Sequence, residues 1–229
     1  DQTPGLKVIE IPDIIKDRLS SYRKQYPNTS AKIPIVPRPY QKEAILAVMD
    51  HDWHGILEMA TGTGKTITSL LIAREFHRLE GNMFLVILVP FTHLVEQWIE
   101  NCGLMGFDHV TECFGSKKVW AAKLQGDVRD FNVGIIDRHV AIATYKSASS
   151  KEFNDLVSRI KRNAFLIADE CHYFGIPTLR NHKMGGFRAK IGLSATPDRW
   201  WDDEGTEFIR SFFGPVVFEY DLKTAINNK

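Results

Sequence analysis

The sequence predicts an α/β domain built on a mostly parallel sheet flanked by helices. Three observations point to that class. Helical and strand-like stretches alternate from Pro39 onward, the order that joins parallel strands through helical crossovers. The run "AFLIA", residues 164–168, has no polar alternation and so reads as a strand covered on both faces, delivering Asp169 and Glu170 at its end. The stretch "MATGTGKT", residues 59–66, lies between a strand-like and a helix-like segment, the setting in which glycine-rich turns bind phosphate.

Each element has its own signal. Residues 1–36 contain a short basic helical pattern bounded by prolines, followed by the proline-punctuated "IPIVPRP", and read as an arm or the tail of a preceding domain. The helical face of Lys16, Arg18, Arg23 and Lys24 reads as a solvated surface, with nucleic-acid contact as the second reading. A helix follows over Tyr40 to Met49, then a strand over Gly55 to Met59 and a helix from Gly64 to about Leu79. The apolar "MFLVILVP" predicts a strand, Thr92 to Asn101 a helix, and "HVTECF" and "HVAIATY" two further strands. Residues 115–138 are polar and read as an irregular excursion. A helix over about Lys151 to Lys161 leads to the strand that ends at Asp169, and "AKIGLS" predicts the next strand. Residues 37–229 thus form one domain, since 229 residues at 44% hydrophobic content suffice for one substantial core.

Composition narrows the class of partner. Twenty-nine basic residues against 28 acidic give a formal charge of +1, so any polyanion must be met by local placement rather than by an overall field. Cys102, Cys113 and Cys171 lack the paired spacing of a zinc site and read as reduced thiols of an intracellular protein. No apolar run reaches membrane-spanning length, and "DQTPGLKVIE" has no signal-peptide core, so no membrane is expected. An N-terminus without methionine suggests a processed or trimmed chain.

The chemistry is concentrated in two stretches. In the first, Thr61, Gly62, Thr63 and Gly64 would turn backbone N–H groups inward around phosphate oxygens, helped by the positive end of the helix that follows. Lys65 would reach the β and γ phosphates of ATP, and the Thr66 hydroxyl would ligate Mg²⁺. Met59 stands where the strict pattern has its first glycine. In the second, Asp169 would complete the Mg²⁺ site opposite Thr66, and Glu170 would take a proton from the attacking water. An acidic pair after a strand also suits the first turn of a helix, which is the bland alternative.

Together "RPYQKEAI", "MATGTGKT", "ADECH" and "GLSATPDR", in this order, resemble the motifs of superfamily 2 helicases and translocases, the DEAD/H-box type of motor. The resemblance covers residues 37 to about 222. It implies a RecA-like phosphate-loop lobe, the first of two, with a short N-terminal arm before it. By that resemblance Gln41 would bond the adenine edge, with Arg38 or Tyr40 packing near the base. "LVPFTHLVEQW" resembles the segment that touches the nucleic-acid backbone, placing Thr92, His93 and Gln97 there, and "ATYKSA" adds Thr144. Ser194, Thr196 and His172 would couple the nucleotide site to the nucleic acid.

The subfamily signals point two ways. The Asp-Glu-Cys-His box resembles RNA sensors and Dicer, whereas "GLSATPDR", "RPYQKEAI" and "FFGPVVFEYDLKTAI" resemble restriction-enzyme motor subunits and repair or transcription DNA helicases. Three segments against one favour double-stranded DNA, with RNA as the alternative, gripped by its phosphates. Trp200 and Trp201 read as cover for a core edge, with base stacking as the second reading. In the resembled family the second lobe supplies arginine fingers, so this chain alone is expected to be weak or inactive as an ATPase. A non-catalytic nucleotide- or nucleic-acid-binding module is the runner-up. An ABC-type protein would need a signature segment between the two stretches, and none is present.

Overall fold

The structure is a computed structural model that describes residues 35–180, 184–198, 202–221 and 223. The predicted arm, apart from Ile35 and Val36, and the Trp200–Trp201 pair lie outside the described residues. In chain order the elements are α1 (Pro39–Asp50), β1 (His54–Met59), α2 (Lys65–Glu80), β2 (Met83–Val89), α3 (His93–Leu104), β3 (Val110–Cys113), α4 (Lys117–Asn132) and β4 (Arg138–Thr144). They continue with α5 (Tyr145–Ala148), α6 (Lys151–Val157), β5 (Ala164–Asp169), a 3-10 turn (Cys171–Gly175), α7 (Pro177–Arg180), β6 (Ala189–Ser194), α8 (Asp203–Phe213) and β7 (Val216–Tyr220).

The seven strands form one sheet in the order β3-β4-β2-β5-β6-β1-β7, and every neighbouring pair is parallel. All carboxyl ends therefore share one edge, where ligands of open α/β sheets bind. Helices on both faces explain the unbroken apolar runs. In β2, Leu85, Ile87 and Val89 pack with α1, α2 and α3, while Phe84, Val86 and Leu88 pack with α4, α6 and α8. Each side chain buried this fully contributes about 1.5–3 kcal/mol, so the central strands hold the site edge in a fixed register.

Residues 115–138 correct the sequence reading, for they are not an irregular excursion. Trp120, Leu124, Val128 and Phe131 recur at helical spacing on the buried face of α4. Two aspartates on that same face, Asp127 and Asp130, hide the pattern from a reading by polarity. Asp127 accepts a 2.6 Å hydrogen bond from Thr111 on β3, which is how a buried carboxylate is tolerated there. α6 ends at Val157, four residues before the predicted end. α8 and β7 have no counterpart in the sequence reading; β7 pairs with β1 and forms one edge of the sheet.

One close approach positions the edge. A Cβ at Gly192 on β6 would lie 3.0 Å from both Cβ and Sγ of Cys171, so the absence of a side chain lets the 3-10 turn settle on β6. That seating places the residues after β5 beside the end of β6.

Candidate functional site

The glycine-rich loop expected to hold phosphate runs from the end of β1 to the start of α2. Gly62 and Gly64 have φ of 80° and 88°, a left-handed backbone that glycine adopts without strain. Thr63 ties the turn internally, its hydroxyl donating to the Ala60 carbonyl at 2.7 Å. α1 braces the loop from outside: the Tyr40 hydroxyl donates to the Thr63 carbonyl at 2.8 Å. The Tyr40 ring stacks on Tyr220 of β7 with centroids 4.2 Å apart.

Gln41 is only 4% exposed and is tied into the same brace. Its amide donates to the Thr68 hydroxyl at 3.2 Å and accepts from the Arg38 backbone N–H at 3.0 Å. One N–H and one lone pair of the amide remain for another partner. Thr68 in turn donates to the Gly64 carbonyl at 3.0 Å, so Gln41 is linked to the loop glycine through one hydroxyl. The Arg38 side chain is exposed at the mouth of this region.

At the centre of the edge, Lys65 Nζ lies 3.0 Å from Glu170 Oε1, with the lysine side chain only 10% exposed. The two residues are 105 positions apart in sequence. Glu170 takes φ 47°, a left-handed conformation uncommon for a side-chain-bearing residue, as β5 gives way to the 3-10 turn. Asp169 is clamped from two sides. Trp98 Nε1 on α3 donates to one carboxylate oxygen and the Glu170 backbone N–H to the other, each at 3.0 Å. The Tyr145 hydroxyl donates to the Asp169 carbonyl at 2.8 Å. Burial raises the Asp169 carboxyl above the usual carboxylate range, while the Trp98 hydrogen bond acts in the opposite direction. Burial likewise pushes the Tyr145 hydroxyl well above the ordinary tyrosine value.

Beyond the carboxylates, His172 Nδ1 lies 3.4 Å from the Ser194 hydroxyl and 3.5 Å from Glu170 Oε2. The Thr196 backbone N–H donates to the same Ser194 oxygen at 3.1 Å. His172, Ser194 and Thr196 therefore form a linked set with Glu170, through the buried Ser194 oxygen at the end of β6.

The predicted nucleic-acid residues are placed less uniformly. Thr92, His93 and Gln97 are exposed at the start of α3, and the Thr92 side chain makes no capping hydrogen bond there. Thr144, by contrast, is buried and caps α5, accepting from the Ser147 N–H at 3.3 Å. The register pairs Val89 of β2 with Thr144 of β4 and Leu88 with Ala168 of β5, so these ends emerge side by side.

Sequence reasoning missed Trp98, Tyr145 and Tyr220. Trp98 was within reach, because Val95, Trp98 and Cys102 are the buried side of α3, at spacings of three and four. A tryptophan there faces the sheet rather than solvent. Tyr145 and Tyr220 end or follow strands and have no local signal of their own.

A cleft of about 330 Å³ opens beside the loop, lined in part by Glu58, Ala60, Thr61, Ala195 and Glu219. Glu58 is raised above the ordinary carboxylate value, first by burial and then by Glu219. Its acidic walls oppose phosphate. Among the described residues no helix is long and apolar enough to cross a membrane. Cys102, Cys113 and Cys171 are free and buried, and burial raises all three thiols.

A parallel sheet with a glycine phosphate loop after one strand and an acidic pair after another, both at the carboxyl edge, defines a RecA-like motor lobe of the superfamily 2 helicase type. The chain belongs to the family described as "Type III restriction enzyme, res subunit", which matches residues 34–199. It is 25% identical over 182 residues to putative helicase 22 of Sulfolobus islandicus filamentous virus, covering 77% of this chain and 30% of that protein. It is also 25% identical over 181 residues to the putative DNA 3'-5' helicase Rad25 of Haloarcula marismortui, covering 79% and 25%. The chain thus spans under a third of the length of these curated relatives.

Solved structures share the fold. The Type ISP restriction-modification enzyme LlaGI, as a nuclease-deletion mutant in complex with a DNA substrate mimic, superposes at TM-score 0.64 and 21% identity, over 84% of this chain and 20% of that one. The UvsW helicase of bacteriophage T4 gives 0.56 and 19%, over 88% and 66%.

Proposed function

We propose that this chain is the ATP-binding first motor lobe of a nucleic-acid-dependent ATPase, which moves along DNA when a second RecA-like lobe closes over its carboxyl edge. The observation that carries the reading is the 3.0 Å ion pair between Lys65 and Glu170, which joins the phosphate loop to the acidic pair at one point. Loop N–H groups and the start of α2 receive the phosphates, and Lys65 transfers its charge from Glu170 to the β and γ oxygens. Glu170, released from the lysine, is then free to accept a proton from a water positioned beyond the γ phosphate.

Thr66 and Asp169 offer hydroxyl and carboxylate oxygens, the hard donors that Mg²⁺ takes. Asp169 is already oriented by Trp98 and its own neighbour's N–H, so the residues fit the ion. When bound there, Mg²⁺ would supply charge neutralisation for the phosphates. His172, Ser194 and Thr196 carry displacements at Glu170 toward the nucleic-acid side, through the shared Ser194 hydroxyl. Duplex DNA is the proposed track, supported by the likeness to the putative DNA 3'-5' helicase Rad25, to LlaGI in complex with a DNA substrate mimic, and to the restriction family.

Calorimetric titration with Mg²⁺-ATP tests the assignment. Lys65→Ala is expected to lower affinity by about tenfold or more, since it removes a charge-assisted contact. Equal affinity in the variant and the wild type would place the nucleotide elsewhere.

A further inference from the structure

Phe91 has no part in the chemistry above, yet it stands at the same edge. It is 49% exposed, and among the described residues it is the aromatic one of the exposed large hydrophobics. Its ring lies parallel to that of His93, 5.6 Å between centroids at 9°, and meets Tyr173 edge-on at 5.8 Å. Tyr173 in turn lies 4.5 Å from the ring of His172, and its backbone N–H bonds the Glu170 carbonyl at 2.9 Å. An exposed ring is therefore joined by ring contacts to the turn that carries Glu170.

We infer that Phe91 and His93 form a stacking platform for an unpaired nucleobase, so that the duplex track is opened locally where one of its strands crosses the end of β2. The surroundings favour a base over a protein partner. Phe91 is followed by exposed Thr92, His93 and Gln97 at the N-terminus of a twelve-residue helix. A single aromatic among exposed polar side chains at a helix start matches one nucleotide, base on the ring and phosphate beside the backbone N–H groups of the helix end, with Glu96 the acidic residue of that first turn. A protein interface would need a contiguous apolar patch. Paired bases are stacked within a duplex and offer no face to the ring, so the platform distinguishes an opened strand from an intact one. The inference rests on the nucleic-acid reading proposed above and adds what backbone contact alone cannot give.

Fluorescence anisotropy with the 229-residue chain separates the two. The probes are a labelled single-stranded DNA, the same strand with abasic sites throughout, and a blunt duplex of the same sequence. Phe91→Ala is expected to weaken binding of the normal strand about tenfold, the scale of losing one aromatic stack, and to leave the abasic strand and the duplex unchanged. Phe91→Trp should bind the normal strand at least as well as the wild type. Phe91→Leu, which keeps the apolar contact with Tyr173, should still lose the preference for normal over abasic strands. Equal losses on all three probes, or wild-type binding that ignores the bases, would overturn the stacking inference and leave the backbone reading standing. Failure of the wild type to bind any probe at low salt would overturn both.

Discussion

Glu170 restrains Lys65 before any chemistry begins, and this gives the pair an opposite signature from that of a simple binding residue. Replacing Glu170 by Gln removes the competitor for the lysine charge, so nucleotide affinity is expected to rise by about threefold to tenfold, while turnover is lost in the two-lobed protein. Calorimetry on the variant checks the first half; an affinity at or below wild type would show that the ion pair does not compete with phosphate. His139 supports a different prediction. It is buried between β3, β4 and α4, its Nε2 3.1 Å from the Thr111 hydroxyl, and burial lowers its pKa to about 4, against the pull of Asp127. The unfolded chain therefore binds more protons than the folded one between about pH 6.5 and pH 4. Stability from this group is present in full above that window and is lost as pH falls through it. His77 and His109 are lowered by burial in the same direction. The thermal midpoint should fall by about 5 °C or more from pH 7 to pH 5. A midpoint that is flat across this range would mean that the histidines are protonated without cost.

Among the elements, the 3-10 turn and β6 are fitted to each other at Gly192. Gly192→Ala is expected to cost about 1–3 kcal/mol by urea unfolding, because the new methyl must displace Cys171. The displacement falls on the residue next to Glu170, so turnover by the two-lobed protein should drop with it. An unchanged midpoint would show that the turn can withdraw freely. The same elements explain what the sequence made legible. β2 and β5 announce themselves because both faces are buried, which leaves no polar residue to blur the run. The loop and Asp169–Glu170 were legible because phosphate chemistry needs those residue types in that local order. α4 was not, because Asp127 and Asp130 sit on its inner face and are accommodated by partners from β3 and from the chain beside it. The Trp98 clamp on Asp169 joins residues 71 positions apart, a relation that only the packing of α3 against the sheet creates.

At the scale of the whole molecule, every strand presents its carboxyl end to one edge, and the proposed second lobe must complete the cleft there. Arg210, an arginine within this lobe, pairs with Asp198 at 2.8 Å. An arginine finger contributes on the order of 10³ to 10⁵ in rate, so phosphate release by this chain alone should stay near background with or without duplex DNA. Pairing with the proposed second lobe should give DNA-stimulated release. Strong stimulated turnover by the 229-residue chain as a monomer would show that it carries its own finger. The strand order has a further consequence, for the way the molecule is made. β1 carries the phosphate loop, yet its two neighbours are β6 and β7, the last strands of the sheet. A ribosome making about 5–20 residues per second leaves β1 without either partner for about 7–27 s. The strands β3, β4, β2 and β5 can pair during that interval, since all are made before β6. The nascent chain therefore exposes a largely apolar strand, "GILEM", while the proposed nucleotide site is not yet assembled. A chaperone that shields this strand would guard the motor's most delayed step.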